Sequence, residues 1–95
     1  MSDAAYEQFK AEALAAGFDE VLVREWTPGL VIDTHTHPFA VSARVVAGEV
    51  ALSAGGATAH LRAGDRIELE RDAPHAERYG PEGATFWVAG KHATD

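Results

Sequence analysis

Residues 28–38 read Pro-Gly-Leu-Val-Ile-Asp-Thr-His-Thr-His-Pro, with two histidines, His35 and His37, one residue apart. Valine, isoleucine and threonine occupy several of the neighbouring positions, and these residues favour β-strands. Because side chains alternate between the two faces of a strand, this spacing places both imidazoles on the same face. Two neutral imidazoles side by side supply half of the ligands of a metal site. The remaining ligands must come from elsewhere in the chain.

Length and composition exclude several classes of protein. The chain has 95 residues, a formal net charge of -7 and no cysteine. We therefore expect a single domain over 1–95. The acidic charge argues against nucleic acid and anionic membrane surfaces as partners, and the lack of cysteine excludes thiolate ligands. No signal-peptide pattern and no apolar run of about 18 residues is visible, so we expect a cytoplasmic protein.

The start of the chain predicts one short helix. Apolar residues recur at steps of three and four over 3–16, at Tyr6, Phe9, Ala13 and Leu14, which is typical of an amphipathic helix. Gly17 is well placed to end it. We expect the segment 1–17 to pack on the rest of the domain or on a partner subunit, and a homodimer would suit that arrangement.

The remainder, 18–92, predicts only β-strands. Short runs rich in valine, leucine and threonine alternate with glycine, proline and acidic residues, which mark turns. The strands are expected near 20–26, 30–36, 40–47, 49–54, 57–62, 66–69, 75–79 and 84–90. Many short strands at close spacing predict an all-β barrel or sandwich.

Alternation also predicts which residues face the interior. If the paired histidines face inward, Val31 and Asp33 face inward as well. Applied to the other strands, the rule gives the polar interior residues Asp33, His35, His37, His75, Glu77 and Tyr79, and the apolar ones Val41, Ala43, Val45, Val50, Leu52, Leu61, Ile67 and Leu69. Burying that many polar groups costs free energy unless they bind something.

The spacing of glycines and histidines resembles the two motifs of the cupin superfamily. In the first motif, Gly29 stands five residues before the His-x-His pair, and Gly48 closes the motif. The position of the family's acidic ligand falls on Val41, so that ligand is missing. The neutral set that is left favours anionic, chelating ligands, because nothing cancels the charge of the metal.

The second cupin motif is more degenerate. Gly64 starts it and His75 fits its histidine, while Glu70, Asp72 and Tyr79 stand where proline, glycine and asparagine are usual. The resemblance covers 29–79. It implies a cupin-type jelly-roll barrel in which the ligands of a divalent transition metal (zinc, iron, nickel, copper or manganese) are His35, His37 and His75. The superfamily contains isomerases, dioxygenases, decarboxylases and non-catalytic binding domains, so the resemblance alone predicts no particular activity.

Three further polar residues are candidates for catalysis. Asp33 and Glu77 could hold an imidazole N–H or exchange a proton with a substrate, although a carboxylate at the rim that only reaches solvent is the ordinary alternative. Tyr79 could donate a hydrogen bond to a substrate, or could simply pack in the barrel. His60 and His92 are expected to lie outside the ligand set.

Three functions are compatible with these residues. The first is a metal-dependent enzyme that acts on a small anionic metabolite by dioxygenase- or isomerase-like chemistry. The second is a non-catalytic module that binds a small molecule or a metal. The third is a small dimer whose interior has no function. The occupancy of the metal site separates the third from the others.

Overall fold

The computed structural model describes residues 3–92, and most of these residues lie in antiparallel strands. They form the helix α1 (Asp3–Ala15) and the strands β1 (Glu20–Trp26), β2 (Val31–His35), β3 (Ala40–Ala54), β4 (Ala57–Arg62), β5 (Arg66–Leu69) and β6 (His75–Lys91). The predicted all-β class with a short amino-terminal helix is confirmed. The strands expected at 40–47 and 49–54 are one continuous strand, β3, and those at 75–79 and 84–90 are both part of β6.

The two long strands, β3 and β6, form the centre of the fold. They pair antiparallel over their whole length, from Ala40 opposite Lys91 to Ala54 opposite His75. One half of this pair is flanked by β1 and β5, and the other half by β2 and β4. Side chains from both halves share one buried cluster that contains Ala43, Val45, Val50, Ile67, Tyr79, Ala84 and Phe86. The two halves therefore face each other across a common core, as in a jelly roll.

Two glycines bend the long strands where the sequence predicts breaks. Gly48 and Gly83 have φ angles of 76° and 71°, a region that other residues enter only at a cost. A Cβ atom on Gly48 would lie 2.0 Å from the carbonyl oxygen of Gly83, so no side chain fits there. The pairing of β3 with β6 shifts register on either side of this point. Both strands therefore bend at these glycines and continue beyond them.

The helix α1 covers the outer face of β6. Phe9 and Ala13 pack with Trp87 and Ala89, all of them buried. By contrast, Leu14 is 48% exposed, so its predicted place in the buried stripe is wrong, and the buried residues of the helix are Phe9 and Ala13. Within residues 3–92 no helix has the length and apolar character needed to cross a membrane.

Gly17 ends the helix as the sequence predicts. It has a φ angle of 96°, and the backbone N–H of Phe18 donates to the carbonyl oxygen of Ala13 at 3.0 Å. This is the bond pattern by which a glycine in the left-handed conformation closes a helix.

Alternation fails in β2, and the prediction that Val31 and Asp33 face the interior is wrong. Val31 is 57% exposed and Asp33 is also exposed, whereas Ile32 packs against the core. The reason is a register shift between two pairs, Ile32 with Glu77 and His35 with His75. The chain advances three residues in β2 but only two in β6, and this extra residue reverses which side chains face inward.

Candidate metal centre

Three histidines converge at one end of the barrel. His35 is the last residue of β2, His37 follows it in the loop to β3, and His75 is the first residue of β6. Their ring centroids are 4.2, 4.9 and 5.0 Å apart, and one nitrogen of each ring lies within 4.8 Å of the others. His75 is only 3% exposed, while the other two are half-buried. The geometry could hold one metal ion.

Backbone carbonyl groups orient two of the rings. The Nδ1 atom of His35 lies 2.8 Å from the carbonyl oxygen of Asp33, and that of His75 lies 2.9 Å from the carbonyl oxygen of Ala73. A carbonyl oxygen only accepts hydrogen bonds, so each Nδ1 is the donor and, in the neutral ring, each Nε2 keeps a free lone pair. Carbonyl partners of this kind orient histidines that bind metals.

The carboxylate of Glu77 lies against both Nε2 atoms. Its Oε2 atom is 3.3 Å from Nε2 of His35 and 3.8 Å from Nε2 of His75, and its side chain is 11% exposed. A carboxylate and two imidazole lone pairs at these distances repel each other unless a cation, either a proton on one ring or a metal ion, lies among them. A divalent metal ion supplies that cation, so the residues present fit a metal site.

Tyr79 fixes the other oxygen of this carboxylate. Its hydroxyl group donates to Oε1 of Glu77 at 2.5 Å, and its ring is buried and stacks on Trp26 with centroids 5.2 Å apart. Burial raises the pKa of Tyr79, and the hydrogen bond to Glu77 raises it further. Tyr79 therefore remains protonated as a donor, and Oε2 of Glu77 is left facing the histidines.

The third histidine is held in its neutral form. Burial lowers the pKa of His37, and the neighbouring His75 and His35 lower it further. The neutral ring is the form that binds a metal.

The histidines open into a cavity of about 160 Å³. Its apolar lining residues include Leu22, Trp26, Ile32, Phe39, Val41, Ala43, Leu52, Ile67, Leu69, Phe86 and Val88. Besides the histidines, its polar lining residues are Glu20, Arg24 and Glu77. Val41 thus makes the wall apolar at the position of the expected glutamate, and Glu77 places a carboxylate beside the histidines from β6 instead.

Solved structures with the same architecture identify the fold. An RmlC-like cupin from Shewanella frigidimarina is 23% identical, with a TM-score of 0.65 over 80% of this chain and 69% of that chain. A protein from Klebsiella pneumoniae with a double-stranded β-helix domain is 28% identical, with a TM-score of 0.66 over 79% of this chain and 68% of that chain. The chain has the cupin fold.

The chain is also similar to a chain from the crystal structures of the DMSP lyases RdDddP and RnDddQII. The two are 27% identical, with a TM-score of 0.69 over 77% of this chain, and the match spans 38% of the lyase chain. Neither a protein-family model nor a curated protein matches the sequence. The predicted resemblance to the cupins is confirmed by the fold.

The cupin barrel brings together five of the six polar residues that the sequence predicts to face inward, namely His35, His37, His75, Glu77 and Tyr79. Asp33 is the exception. Its side chain is exposed and lines a separate depression on the outer surface, so only its carbonyl oxygen reaches the site, through His35. The bulge in β2 causes this outcome.

Sequence reasoning missed two charged residues of the cavity, Glu20 and Arg24 on β1. Alternation could have found them, because Glu20 and Arg24 lie on the same face of the predicted strand 20–26 as Leu22 and Trp26. Glu20 is paired with His92, with Oε1 and Nε2 3.0 Å apart. Both His92 and the exposed His60 lie outside the three-histidine group, as expected.

Proposed function

We propose that this cupin binds one divalent transition metal through His35, His37 and His75 and acts on a small anionic molecule in the adjoining cavity. The observation that supports the proposal is the convergence of the Nε2 atoms of His35 and His75 on the carboxylate of Glu77, at 3.3 and 3.8 Å. When bound, the metal would polarise an oxygen atom of the ligand as a Lewis acid.

In this proposal Glu77 moves a proton. Its Oε1 atom is occupied by the hydroxyl group of Tyr79, which leaves Oε2 to accept a proton from a ligand in the cavity. A carboxylate that accepts a proton suits isomerase- or lyase-like chemistry. One of the similar chains comes from structures of DMSP lyases.

In this scheme Tyr79 is a positioning residue. It contacts the carboxylate rather than the histidines, and its ring is fixed by stacking on Trp26. Asp33 has no role in the scheme because its carboxylate lies on the outer surface. The homodimer and the cytoplasmic location stay predictions from the sequence.

Metal content is the first test. Inductively coupled plasma mass spectrometry is applied to untagged protein that has never contacted a chelating column. We expect close to one metal ion per chain in the wild type and none in the His35→Ala/His75→Ala variant. His60→Ala is the matched control, because His60 is exposed and lies outside the histidine group. No metal in the wild type after reconstitution would refute the proposal.

Turnover is the second test. The metal-loaded protein is incubated with a panel of small hydroxy and oxo acids, and the products are followed by proton NMR. We expect turnover by the wild type and its loss in Glu77→Gln. Turnover that continues unchanged in Glu77→Gln contradicts the assigned role of the carboxylate. Specific binding of an acid without turnover would instead favour the alternative, a non-catalytic binding module built on the same histidines.

A further inference from the structure

Arg24 places an unpaired positive charge on the wall of the cavity. Its guanidinium group lies over the ring of Trp26, with Cζ 4.6 Å from the ring centroid, and it forms no hydrogen bond or ion pair with any of residues 3–92. The other charged residue that β1 contributes to the cavity, Glu20, already pairs with His92. The guanidinium therefore keeps its hydrogen-bond donors available for a ligand.

A continuous series of contacts joins Arg24 to the histidines. Trp26, under the guanidinium, stacks on Tyr79 at 5.2 Å, and Tyr79 donates to Glu77 at 2.5 Å. Glu77 in turn lies 3.3 Å from His35. Arg24 and the three histidines also line the same cavity. Arg24 and the histidines thus belong to one site.

We propose that Arg24 recognises a carboxylate of the ligand, and that the ligand is a small carboxylic acid with a second oxygen-bearing group that lies at the histidines. The second part rests on the proposed metal site. A guanidinium group matches a carboxylate with two parallel hydrogen bonds, and the apolar wall between the two polar ends suits a short carbon chain. A cavity of about 160 Å³ has room for a small carboxylic acid.

Trp26 provides an independent observation. Its indole Nε1 atom is buried and has no hydrogen-bond partner among residues 3–92. Buried donors normally have a partner. A carboxylate oxygen at the edge of the indole, in the plane of its N–H, would supply the acceptor that the described protein groups lack.

Succinate and butyrate are the probes, because they have equal chain lengths and differ in one terminal carboxylate. Each is titrated calorimetrically into zinc-loaded protein. A second carboxylate that pairs with Arg24 should make succinate bind at least about tenfold more tightly than butyrate. We expect Arg24→Gln to abolish this difference.

Arg44→Gln is the matched control. Its guanidinium also lies near a tryptophan, with Cζ 5.8 Å from the ring centroid of Trp87, but Arg44 does not line the cavity. The control loses the same charge and should keep the tenfold preference. A preference that survives in Arg24→Gln, that is lost equally in Arg44→Gln, or that is absent from the wild type would overturn the proposal.

Two further measurements separate this proposal from the proposed function. Arg24→Gln should contain as much zinc as the wild type. If the proposed metal site is wrong, both proteins will lack bound zinc, whatever the role of Arg24. In metal-free protein, butyrate should still quench tryptophan fluorescence through Arg24, and Arg24→Gln should not respond. Inorganic phosphate is the competitor. Tighter binding of phosphate than of succinate through Arg24 would overturn the carboxylate assignment in favour of a phosphoryl group.

Discussion

Replacing Glu77 with glutamine removes one negative charge from the proposed metal centre and leaves the size of the side chain nearly unchanged. The structure places this charge beside His35 and His75, whereas Val41 stands at the position that the cupin motif gives to its acidic ligand. We expect Glu77→Gln to weaken zinc binding without unfolding the protein. The variant therefore tests whether β6 supplies the charge that β3 lacks.

The size of the effect follows from the distances. A divalent cation 3.3 Å from the Oε2 atom of Glu77, the distance of Nε2 of His35, would interact with it by about 2.5 kcal/mol in water and by about 10 kcal/mol at an effective dielectric constant of ~20. The side chain is 11% exposed, which places the interaction between these limits, and the cost of desolvating the carboxylate offsets part of it. Groups beside metal ligands commonly change the affinity about 10- to 100-fold, and we expect a loss in that range.

The assay is a competition between the protein and a chromophoric zinc chelator at neutral pH. Glu25→Gln is the control, because Glu25 is exposed and does not line the cavity, so it reports the effect of net charge alone. Tyr79→Phe frees Oε1 of Glu77 but keeps the charge, and we expect a loss of only a few-fold. Equal zinc affinity in Glu77→Gln and the wild type, or an equal loss in Glu25→Gln, would refute the argument.

Val41→Glu adds a rescue to the same experiment. Val41 lines the cavity, so a glutamate there would restore a negative charge near the histidines. In the Glu77→Gln background we expect it to recover part of the lost zinc affinity. No recovery, with the fold intact by circular dichroism, would mean that Glu77 acts through its position rather than its charge.

Three further predictions concern stability. Gly48→Ala should lower the free energy of unfolding by about 2 kcal/mol or more, because its Cβ atom would lie 2.0 Å from a backbone oxygen. The control is Gly55→Ala, which has a positive φ but no atom within 4 Å of the added Cβ and should cost only about 1 kcal/mol. Equal losses of stability in the two variants, measured by urea unfolding, would contradict the close approach at Gly48. The fold lowers the pKa of His37 from 6.5, so below that pH the unfolded chain binds more protons than the folded protein. The metal-free protein should therefore lose stability on acidification. Measured as Tm over a pH series, His37→Asn should lose less stability than the wild type. Phe9→Ala should lower the free energy of unfolding by about 3 kcal/mol. It should leave the zinc content per chain unchanged, since α1 packs outside the barrel. A loss of zinc in the folded variant would contradict this separation of the helix from the site.

Local patterns predicted most of the fold. The runs of strand-forming residues correspond to the observed strands, and Gly17 ends the helix as expected. The predicted breaks at 48 and at 80–83 are bends inside β3 and β6. The backbones of the two strands approach closely there, and Gly48 leaves room for the carbonyl oxygen of Gly83. A glycine looks the same in a sequence whether the chain turns back or bends, and only long-range pairing separates the two cases.

The candidate site was predicted less completely. The histidine set follows from motif spacing, and Glu77 and Tyr79 follow from alternation along β6. Arg24 was missed because no motif contains it, and its proximity to the histidines depends on how β1 packs beside β6, as in the pairing of Trp26 with Ala84. Contacts between strands that are distant in sequence are not encoded in the spacing of either strand.

The failure of alternation in β2 has a direct connection with the site. The register shift brings His35 directly opposite His75, and residues directly opposite on antiparallel strands have the closest side chains. Each of these rings is oriented by the carbonyl oxygen of the residue two positions before it. A regular β2 that kept Ile32 facing inward opposite Glu77 would turn His35 to the outer surface. The bulge that moves Asp33 out of the cavity is therefore the feature that allows a core residue and a candidate metal ligand to face inward from the same short strand.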